Sequence, residues 1–305
     1  MVHVRSMHEG DVTSVVARVK SQLARASRDE PFINDAFDEV DFDAVLRAQR
    51  ARAWVALRGD QVVGHLYGAV LDDARGRSAW IGPDGVSFDD LEVLGALYAV
   101  AGRSWFDAGA HEHWVWVPDQ VDAFLAWSEL GFAKEHRRGV RALFRHAPVA
   151  LPSGVTLRRG SAEDLDVASE LDAALDEAQR EGPNFFFAEA APGEGVSETL
   201  SDPDVSLRVL CFGAEVVGQC LTYRLDARRG SFDDVVHLSG VVIRDEWRGR
   251  GWGHAMVEHV LEELRVEGAR YVEVHWRVAN HGAERFWRSL HFRPTFTRLR
   301  RVLDV

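Results

Sequence analysis

The chain has 305 residues, of which 46% are hydrophobic, and a formal net charge of −12 at pH 7. This length is sufficient for two domains of ordinary size, each able to bury a hydrophobic core. The excess of acidic residues argues against a nucleic-acid partner, and the lack of a long apolar run or an apolar signal core predicts a soluble, cytoplasmic protein with no membrane partner.

An internal repeat organises the predicted elements. In the first half, a β-rich run and an acidic helix start at residues 2–12 precede two strands around a Gly-containing turn at 53–67. The same order recurs at 155–165 and 207–221, and both hairpins contain Val-Val-Gly in their second strand. We therefore predict an α/β fold of two copies. Each copy should be a mixed, mostly antiparallel central sheet flanked by helices.

The junction between the two copies lies near residues 147–154, where prolines and a glycine are typical of a linker. We predict one domain at 1–147 and a second at 148–305. Since only the second contains the Gly/Arg-rich loop described below, it is the candidate for coenzyme binding and catalysis.

The two cysteines of the chain, Cys211 and Cys220, fall on the hairpin of the second copy. If the chain turns at Gly213, Cys211 is opposite Val216 and Cys220 is opposite Leu207. The two thiols would then not meet, and we expect both to be free.

A segment rich in glycine and arginine follows the β-rich run Val235–Ile243. Residues 248–253 read Arg-Gly-Arg-Gly-Trp-Gly, and an amphipathic helix with apolar residues from Ala255 to Leu264 comes next, before Gly268. Glycines let successive backbone N–H groups converge on one point, and a helix N-terminus adds partial positive charge. The two arginines can pair with a diphosphate. The pattern therefore predicts a diphosphate site, although for the loop alone a simple strand-to-helix turn is an equal alternative.

These features resemble the GNAT superfamily of N-acetyltransferases. Its coenzyme A motif, Gln/Arg-x-x-Gly-x-Gly/Ala after a central strand, is matched by Arg248, Gly251 and Gly253. Its second motif, Asn-x-x-Ala-x-x-Phe-Tyr followed by Gly-Phe, is approximated by Asn280, Ala283, Phe286-Trp287 and His291-Phe292. The resemblance covers the second half by its motifs and the first half by the repeat alone. It implies two tandem GNAT-like domains, the first of them degenerate.

The resemblance also implies acetyl-CoA as co-substrate and no metal. The backbone of one strand would bind the pantetheine arm as an added strand and polarise the acetyl carbonyl. The loop would hold the diphosphate. The implied coenzyme-binding residues are Val241, Val242, Ile243, Arg248, Gly249, Arg250, Gly251, Trp252, Gly253, Asn280 and Trp287.

His237 is the candidate general base. An ammonium ion has no lone pair, so the substrate amine must lose a proton before it attacks the thioester. Histidine, with an unperturbed pKa of about 6.5, is chemically suited. His237 lies on the strand that precedes the loop, from which family members often supply a base. A strand histidine held only by packing and one hydrogen bond is the alternative interpretation, and the position favours the catalytic one.

Two departures from the family pattern concern the general acid. The tyrosine that often protonates the leaving thiolate is Trp287 here, and the glycine before Phe292 is His291. Tyr223, Ser289 and His291 are weakly supported replacements. Water can also serve, because a thiol is a fairly good leaving group.

The acceptor is expected between the first helices and the sheet edge of the second copy. Residues 185–187 are three successive phenylalanines, which cannot all lie on one face, so at least one is expected at a pocket wall or at the interface with the first half. Glu189, Glu194 and Glu198 would suit a cationic amine, although a solvated acidic loop is the favoured interpretation. The predicted partner is a small-molecule or peptide amine, and the chain would be a monomer or a homodimer.

The first copy lacks the diphosphate loop. Its corresponding segment, Ile81–Asp90, contains acidic groups that repel phosphate, so we expect a structural role and no coenzyme there. His111, Glu112 and His113 resemble metal ligands only superficially, and we interpret them as loop and strand residues.

An N-acetyltransferase is thus the leading hypothesis for function. One alternative is an acyltransferase that uses a longer acyl-CoA or a hydroxyl acceptor. The other is a non-catalytic CoA-binding or regulatory module, which the missing tyrosine supports.

Overall fold

The computed structural model describes residues 1–36, 39–49, 52–73, 76–145, 149–184, 202, 204–224, 231–232 and 234–303. The first half contains β1 (His3–Ser6), α1 (Val12–Asp29), α2 (Glu39–Gln49), β2 (Ala53–Arg58), β3 (Gln61–Tyr67), β4 (Ala69–Asp73), β5 (Gly76–Ile81), β6 (Val86–Phe88), α3 (Leu91–Asp107), β7 (Glu112–Pro118), α4 (Val121–Ser128) and β8 (Ala133–Ala142). The second half contains β9 (Val155–Arg159), α5 (Leu165–Arg180), β10 (Val205–Phe212), β11 (Glu215–Arg224), β12 (Val235–Ile243), α6 (Trp252–Val266), β13 (Tyr271–Arg277), α7 (His281–Ser289) and β14 (Arg293–Val302).

The chain forms two compact units that exchange their terminal strands. The first unit is Met1–Arg137 together with the chain from Pro294 onward, so that it includes β14. The second unit begins at Arg138, inside β8, and includes the chain to Arg293 except for a short segment ending at Ser231, which belongs to the first unit. Each unit therefore takes a strand from the opposite half of the sequence. The predicted boundary at 147/148 falls within residues 146–148, which are outside the described part of the chain, and it stays a prediction.

The first unit contains two groups of paired strands. Strands β1, β2, β3 and β6 form an antiparallel sheet, while β5 pairs in parallel with β7, which pairs antiparallel with β14. Helix α3 packs Val93, Leu94 and Leu97 against one face, in a cluster that includes Ile81 and Val115. Such burial of apolar area is the main stabilising contribution to a core.

In the second unit the strand order is β9-β10-β11-β12-β13, and β8 lies beside β13. Only β12 and β13 pair in parallel within this order. Helix α6 buries Met256 and Val260 against one face, whereas Ala168 of α5 is buried against the other. The prediction of a mixed, mostly antiparallel sheet flanked by helices is confirmed in both units. None of the described helices is long and apolar enough to cross a membrane.

The α6 prediction is confirmed except for one residue. All the apolar positions from Ala255 to Leu264 that the stripe predicted are buried, and Gly268 ends the helix at a φ of +95°. Glu258, which the pattern leaves off the apolar stripe, is nevertheless buried. It accepts a hydrogen bond from Arg141 of β8 at 2.7 Å. A buried carboxylate needs such a partner, and the partner here comes from the exchanged strand.

The cysteine prediction is confirmed in its conclusion and wrong in one detail. Cys211 is opposite Val216 as expected, but Cys220 is opposite Arg208 rather than Leu207. A bulge in β11 displaces the pairing by one residue: Leu210 is opposite Gly218 and Cys211 is opposite Val216, so Val217 is the extra residue on one strand only. Both thiols are free and buried.

The repeat extends to individual hydrogen bonds. Arg5 donates to Asp11 at 2.6 Å, and Arg158 donates to Asp164 at 2.7 Å, in the equivalent place of each half. Each aspartate also accepts a backbone N–H at the start of its helical turn, from His8 in the first half and from residue 161 in the second. The two halves therefore use the same ion-pair clamp to begin their first long helix.

The end of α7 contains a strained residue. His291 has a φ of +61°, the left-handed conformation in which the family pattern has glycine. The N–H of Phe292 donates to Trp287 O at 3.0 Å, so His291 occupies the position after a helix where glycine is preferred. The equivalent residue after α4 is Gly131, with a φ of +79°.

We expect His291→Gly to raise the free energy of unfolding by about 0.5–1 kcal/mol. Removal of the left-handed strain of a side chain outweighs the extra freedom of glycine in the unfolded chain. Urea denaturation measures this difference. Gly131→His is the matched reverse change and should destabilise the chain by a similar amount; a loss of stability in His291→Gly would contradict the interpretation.

Candidate active site

A cleft opens where β12 and β13 separate. Their parallel pairing ends at His237 and Glu273, although β12 continues to Ile243 and β13 to Arg277. Gly240, with a φ of +57°, lies in a bulge of β12, where the pairing with β11 shifts register. Beyond His237 the β13-facing edge of β12 therefore has no ladder partner in β13, and its backbone groups can pair with a ligand.

The predicted coenzyme strand fits a backbone role. The side chains of Val242 and Ile243 are buried, while Val241, next to the bulge, is partly exposed. Their side chains belong to the core, so only the main chain of this segment can face the cleft. This geometry is compatible with an added strand of amide groups from a coenzyme arm.

The Gly/Arg-rich loop leads directly into α6. Gly249 and Gly251 have φ values of +76° and +78°, and a side chain at either would meet open space. Gly251 is the residue before the helix and provides no side-chain cap, so the first N–H groups of α6 lack a side-chain acceptor. No acidic residue lies in the first turn of α6. The helix start therefore has the donors and the positive potential that an anion needs.

The two arginines are fixed by their own loop. Arg248 donates from Nε to Ile243 O at 2.9 Å and pairs with Asp245 at 2.8 Å. The guanidinium of Arg250 lies 4.8 Å from the ring of Trp247 and is exposed. Both guanidinium groups thus remain at the loop surface, where they can reach a phosphate.

Two predicted coenzyme residues are core residues. The ring of Trp252 stacks on Trp247 at 4.7 Å and is 7% exposed, so only its backbone N–H is available. Trp287 is buried between Phe286 and Phe292, with ring centroids at 4.8 and 5.3 Å. An indole N–H is also a poor proton donor compared with a phenol. Trp287 therefore cannot replace the missing tyrosine.

Asn280 caps α7. Its Oδ1 accepts a hydrogen bond from the N–H of Ala283 at 2.9 Å. The capping bond uses the carbonyl end of this side chain, so a contact with the coenzyme would involve the amide nitrogen or the backbone.

Three side chains from neighbouring strands lie in one row at the start of the cleft. Tyr223 is paired with His237, and His237 with Glu273, so all three project from the same face of the sheet. The rings of Tyr223 and His237 lie 4.9 Å apart. His237 Nδ1 is buried and lies 3.6 Å from Glu273 Oε1.

Glu273 is the most enclosed charge in this row. It has no solvent exposure, accepts a hydrogen bond from His275 Nε2 at 2.9 Å, and lies 3.6 Å from Arg138 Nε. Burial by itself raises the pKa of Glu273, but His237, His275 and the charge of Arg138 together lower it well below the usual range. Glu273 is therefore an anion in the folded chain.

Histidine and glutamate are also metal ligands. One ligand atom each from His237, Glu273 and His275 lies within 4.8 Å of the others, the one such group among the described residues. The guanidinium of Arg138 lies beside the same carboxylate, and this fixed positive charge opposes a divalent cation. The group is better suited to hold protons than a metal.

Helix α5 covers this face of the sheet. Gln219 of β11 donates to Ala168 O at 3.2 Å, and Arg277 of β13 donates to Gln179 at 3.1 Å, so the helix crosses over β12 between these two anchors. Asp172 and Asp176 lie between them on the helix; burial, and then the charge of Asp176, raise the pKa of Asp172. The predicted acceptor segment, Phe185–Phe187 with Glu189, Glu194 and Glu198, lies outside the described residues.

In the first unit, the positions equivalent to the candidate site are occupied by other residues. Asp90 caps α3 by accepting the N–H of Val93 at 3.1 Å, so a carboxylate already occupies the equivalent helix start. His113 is hydrogen-bonded to Tyr98 at 2.7 Å, and burial lowers the pKa of His113 to about 4. Glu112 pairs instead with Arg300. His111, Glu112 and His113 therefore do not converge on one point.

Sequence reasoning missed Glu273, His275 and Arg138. Glu273 and His275 are two residues apart on a strand, and that spacing could have indicated one shared face with His237. Arg138 offered no comparable indication, because it lies in the other half of the sequence.

Residues 170–292 match the acetyltransferase (GNAT) family. No curated protein matches the sequence. The crystal structure of a GCN5-related N-acetyltransferase from Sphaerobacter thermophilus aligns with 100% of this chain and 96% of that chain, with a TM-score of 0.65 and 17% identity.

Two further structures have the same fold. A tandem GNAT protein from the clavulanic acid biosynthesis pathway aligns over 100% of this chain and 99% of its own, with a TM-score of 0.51 and 17% identity. A glucosamine N-acetyltransferase region of a fungal multi-domain GH3 beta-N-acetylglucosaminidase aligns over 98% of this chain and 38% of that chain, with a TM-score of 0.56 and 16% identity. At such identities the likeness establishes the architecture of the chain.

Proposed function

We propose that this chain transfers an acetyl group from acetyl-CoA to the primary amine of a small molecule or peptide, because residues 170–292 match the GNAT family and the chain has the fold of a tandem GNAT protein. The observation that carries the proposal is the position of His237. It lies at the last paired position of β12 and β13, where the cleft opens, and a buried anion lies next to its Nδ1. A general base is needed at that point.

Coenzyme binding would use backbone groups more than side chains. The main chain of Val241, Val242 and Ile243 would pair with the pantetheine amides. The loop from Arg248 to Gly253 would bind the diphosphate with N–H groups and two guanidinium groups. Asn280 would contact the arm through its amide nitrogen. Trp252 and Trp287 would support this site from within the core.

The reaction is a direct attack. His237 Nε2 takes one proton from the ammonium form of the acceptor, and the free nitrogen lone pair attacks the acetyl carbon. Backbone N–H groups of β12 stabilise the oxyanion of the tetrahedral intermediate. The carbon–sulfur bond then breaks, and the nitrogen loses its second proton to water, which leaves a neutral amide. The thiolate takes a proton from water or from Tyr223, whose ring packs on His237 and which regains its proton from water. His237 returns to the neutral form by releasing its proton to water.

One observation favours a second candidate. The position of the usual family acid is Trp287, which is buried in the core, as a CoA-binding module without catalysis would allow. Such a module would bind acetyl-CoA and release no CoA in response to an amine.

Turnover of acetyl-CoA with a panel of amines tests the proposal. We expect CoA release that depends on a primary amine and exceeds hydrolysis without an acceptor, with matched alcohols inactive. Propionyl-CoA and longer acyl-CoA substrates, run in parallel, define the acyl group. Acetyl-CoA binding by calorimetry without amine-dependent CoA release from any panel member would favour the non-catalytic module.

A further inference from the structure

The row that contains His237 continues to a fourth strand. Arg138, on β8, is 3% exposed and lies beside Glu273, which in turn lies beside His237 and His275. β8 is the last strand of the first half of the sequence, yet from Arg138 onward it belongs to the second unit. The exchanged strand thus adds a buried cation to the candidate active site.

The first unit has an equivalent row built from other residues. Trp80 and Trp114 are paired in parallel on β5 and β7, as His237 and Glu273 are on β12 and β13. Each pair lies on the sheet face away from the helix that follows the loop, which is α3 in the first unit and α6 in the second. Arg298 lies 4.7 Å from the ring of Trp114, and it is the sixth residue of β14, as Arg138 is of β8.

In the first unit, packing at these positions is achieved without a buried carboxylate. Trp80 and Trp114 stack at 5.0 Å, so the same arrangement of strands is filled by apolar rings in the first unit. Burying an ionised carboxylate is costly even when it is paired, and apolar residues of similar volume are often as stable or more stable. The fold itself therefore does not require Glu273, and the role of this residue lies in what it does to its neighbours.

The hydrogen-bonding capacity of Glu273 defines that role. An ionised carboxylate can accept hydrogen bonds but cannot donate one, so a ring nitrogen that faces it is stabilised when it carries a hydrogen. His237 faces Glu273 with Nδ1 at 3.6 Å, and a carboxylate at this distance favours the neutral tautomer that carries its proton on Nδ1. Nε2 is left with the lone pair that a general base needs.

We propose that Glu273 is the positioning residue for His237: it holds the Nδ1-protonated tautomer and stabilises the imidazolium formed when Nε2 takes the proton of the acceptor amine. Arg138, from the exchanged strand, keeps Glu273 ionised, and His275 fixes its orientation through a hydrogen bond to Oε1. This assignment rests on the proposed function, in which His237 is the base. It also gives the first half of the sequence a direct part in the chemistry of the second.

Glu273→Gln tests the assignment in the full chain. We expect kcat to fall about 100-fold or more, as for other histidine bases left in the wrong tautomer, and KM for acetyl-CoA to stay near the wild-type value. Glu258→Gln is the matched control, because Glu258 is also a buried carboxylate and pairs with Arg141 of β8, the strand that contains Arg138. It should lose comparable stability and retain kcat. Unchanged kcat in Glu273→Gln, or equal losses in both variants, would overturn the proposal.

A second measurement does not depend on turnover. Long-range nitrogen-15 spectra of the full chain, assigned with His237→Gln and His275→Gln, report which ring nitrogen is protonated. We expect the Nδ1-protonated form of His237 in the wild type and loss of that form in Glu273→Gln. The Nε2-protonated form in the wild type, or zinc retained on His237 after gel filtration, would refute the assignment. If the spectra agree but no amine is acetylated, the proposed function fails while the arrangement stands.

Discussion

Replacing His237 with glutamine should lower amine-dependent turnover of acetyl-CoA by about 10²- to 10⁴-fold, the usual contribution of a general base. Glutamine is similar in size but has no lone pair of useful basicity, so the acceptor would have to lose its proton to water. Coenzyme affinity should change little, because the loop and the backbone of β12, not His237, would bind the coenzyme. A steady-state assay of CoA release measures turnover, and calorimetry with acetyl-CoA measures the coenzyme affinity separately.

Turnover of His237→Gln should also depend on pH in a different way from turnover of the wild type. An alkyl amine has a pKa of about 10.4, so without a base the rate should rise about tenfold per pH unit below that value, following the neutral amine. His259→Gln is the control, since His259 lies on α6 and its Nε2 is hydrogen-bonded to Val149 O at 2.9 Å. Wild-type kcat in His237→Gln, or a loss no greater than in His259→Gln, would show that another group removes the proton.

The sequence allowed the architecture and the loop to be predicted because both depend on local patterns. The Val-Val-Gly hairpins, the glycines at positive φ and the apolar stripe of α6 are each specified within a few residues of chain. The motif Arg248-x-x-Gly251-x-Gly253 similarly identified a helix start without a side-chain cap. Patterns of this range can be interpreted without knowing which strands are neighbours.

The candidate site could be predicted only in part, because the rest depends on strand order. His237 was found through its position before the loop, whereas the approach of Arg138 to Glu273 follows from an exchange of terminal strands. The displaced partner of Cys220 likewise follows from a bulge in β11. Such contacts join residues far apart in the chain, and no local period encodes them.

Comparison of the two halves indicates how one fold came to have different roles at equivalent places. At the start of α3 the carboxylate of Asp90 caps the helix and pairs with Arg58 at 2.7 Å. At the start of α6 the equivalent position is Gly251, which has no side chain. A helix whose N-terminus is already satisfied by its own anion gains little from a phosphate, whereas one without a cap offers its N–H groups to a ligand.

Replacing Gly251 with alanine should therefore weaken acetyl-CoA binding about tenfold. Gly251 has a φ of +78°, and holding alanine in that conformation costs about 1–2 kcal/mol, close to one factor of ten in affinity if the loop must keep this shape to bind. The added methyl meets no atom within 4 Å, so the effect is not a clash. Gly268→Ala is the matched control, because Gly268 ends the same helix at a φ of +95° and also faces open space.

The choice of ligand makes the second test specific for the diphosphate. Acetyl-pantetheine has the thioester and the amide arm but no phosphate, so its binding should be similar in Gly251→Ala and in the wild type. Calorimetry with both ligands then separates the loop from the strand. Equal weakening of both ligands would mean that the substitution disturbs β12 or the fold, and unchanged acetyl-CoA affinity would mean that the N–H groups before α6 do not hold the diphosphate. A tenfold loss confined to acetyl-CoA, absent in Gly268→Ala, is the result that a phosphate-binding helix start requires.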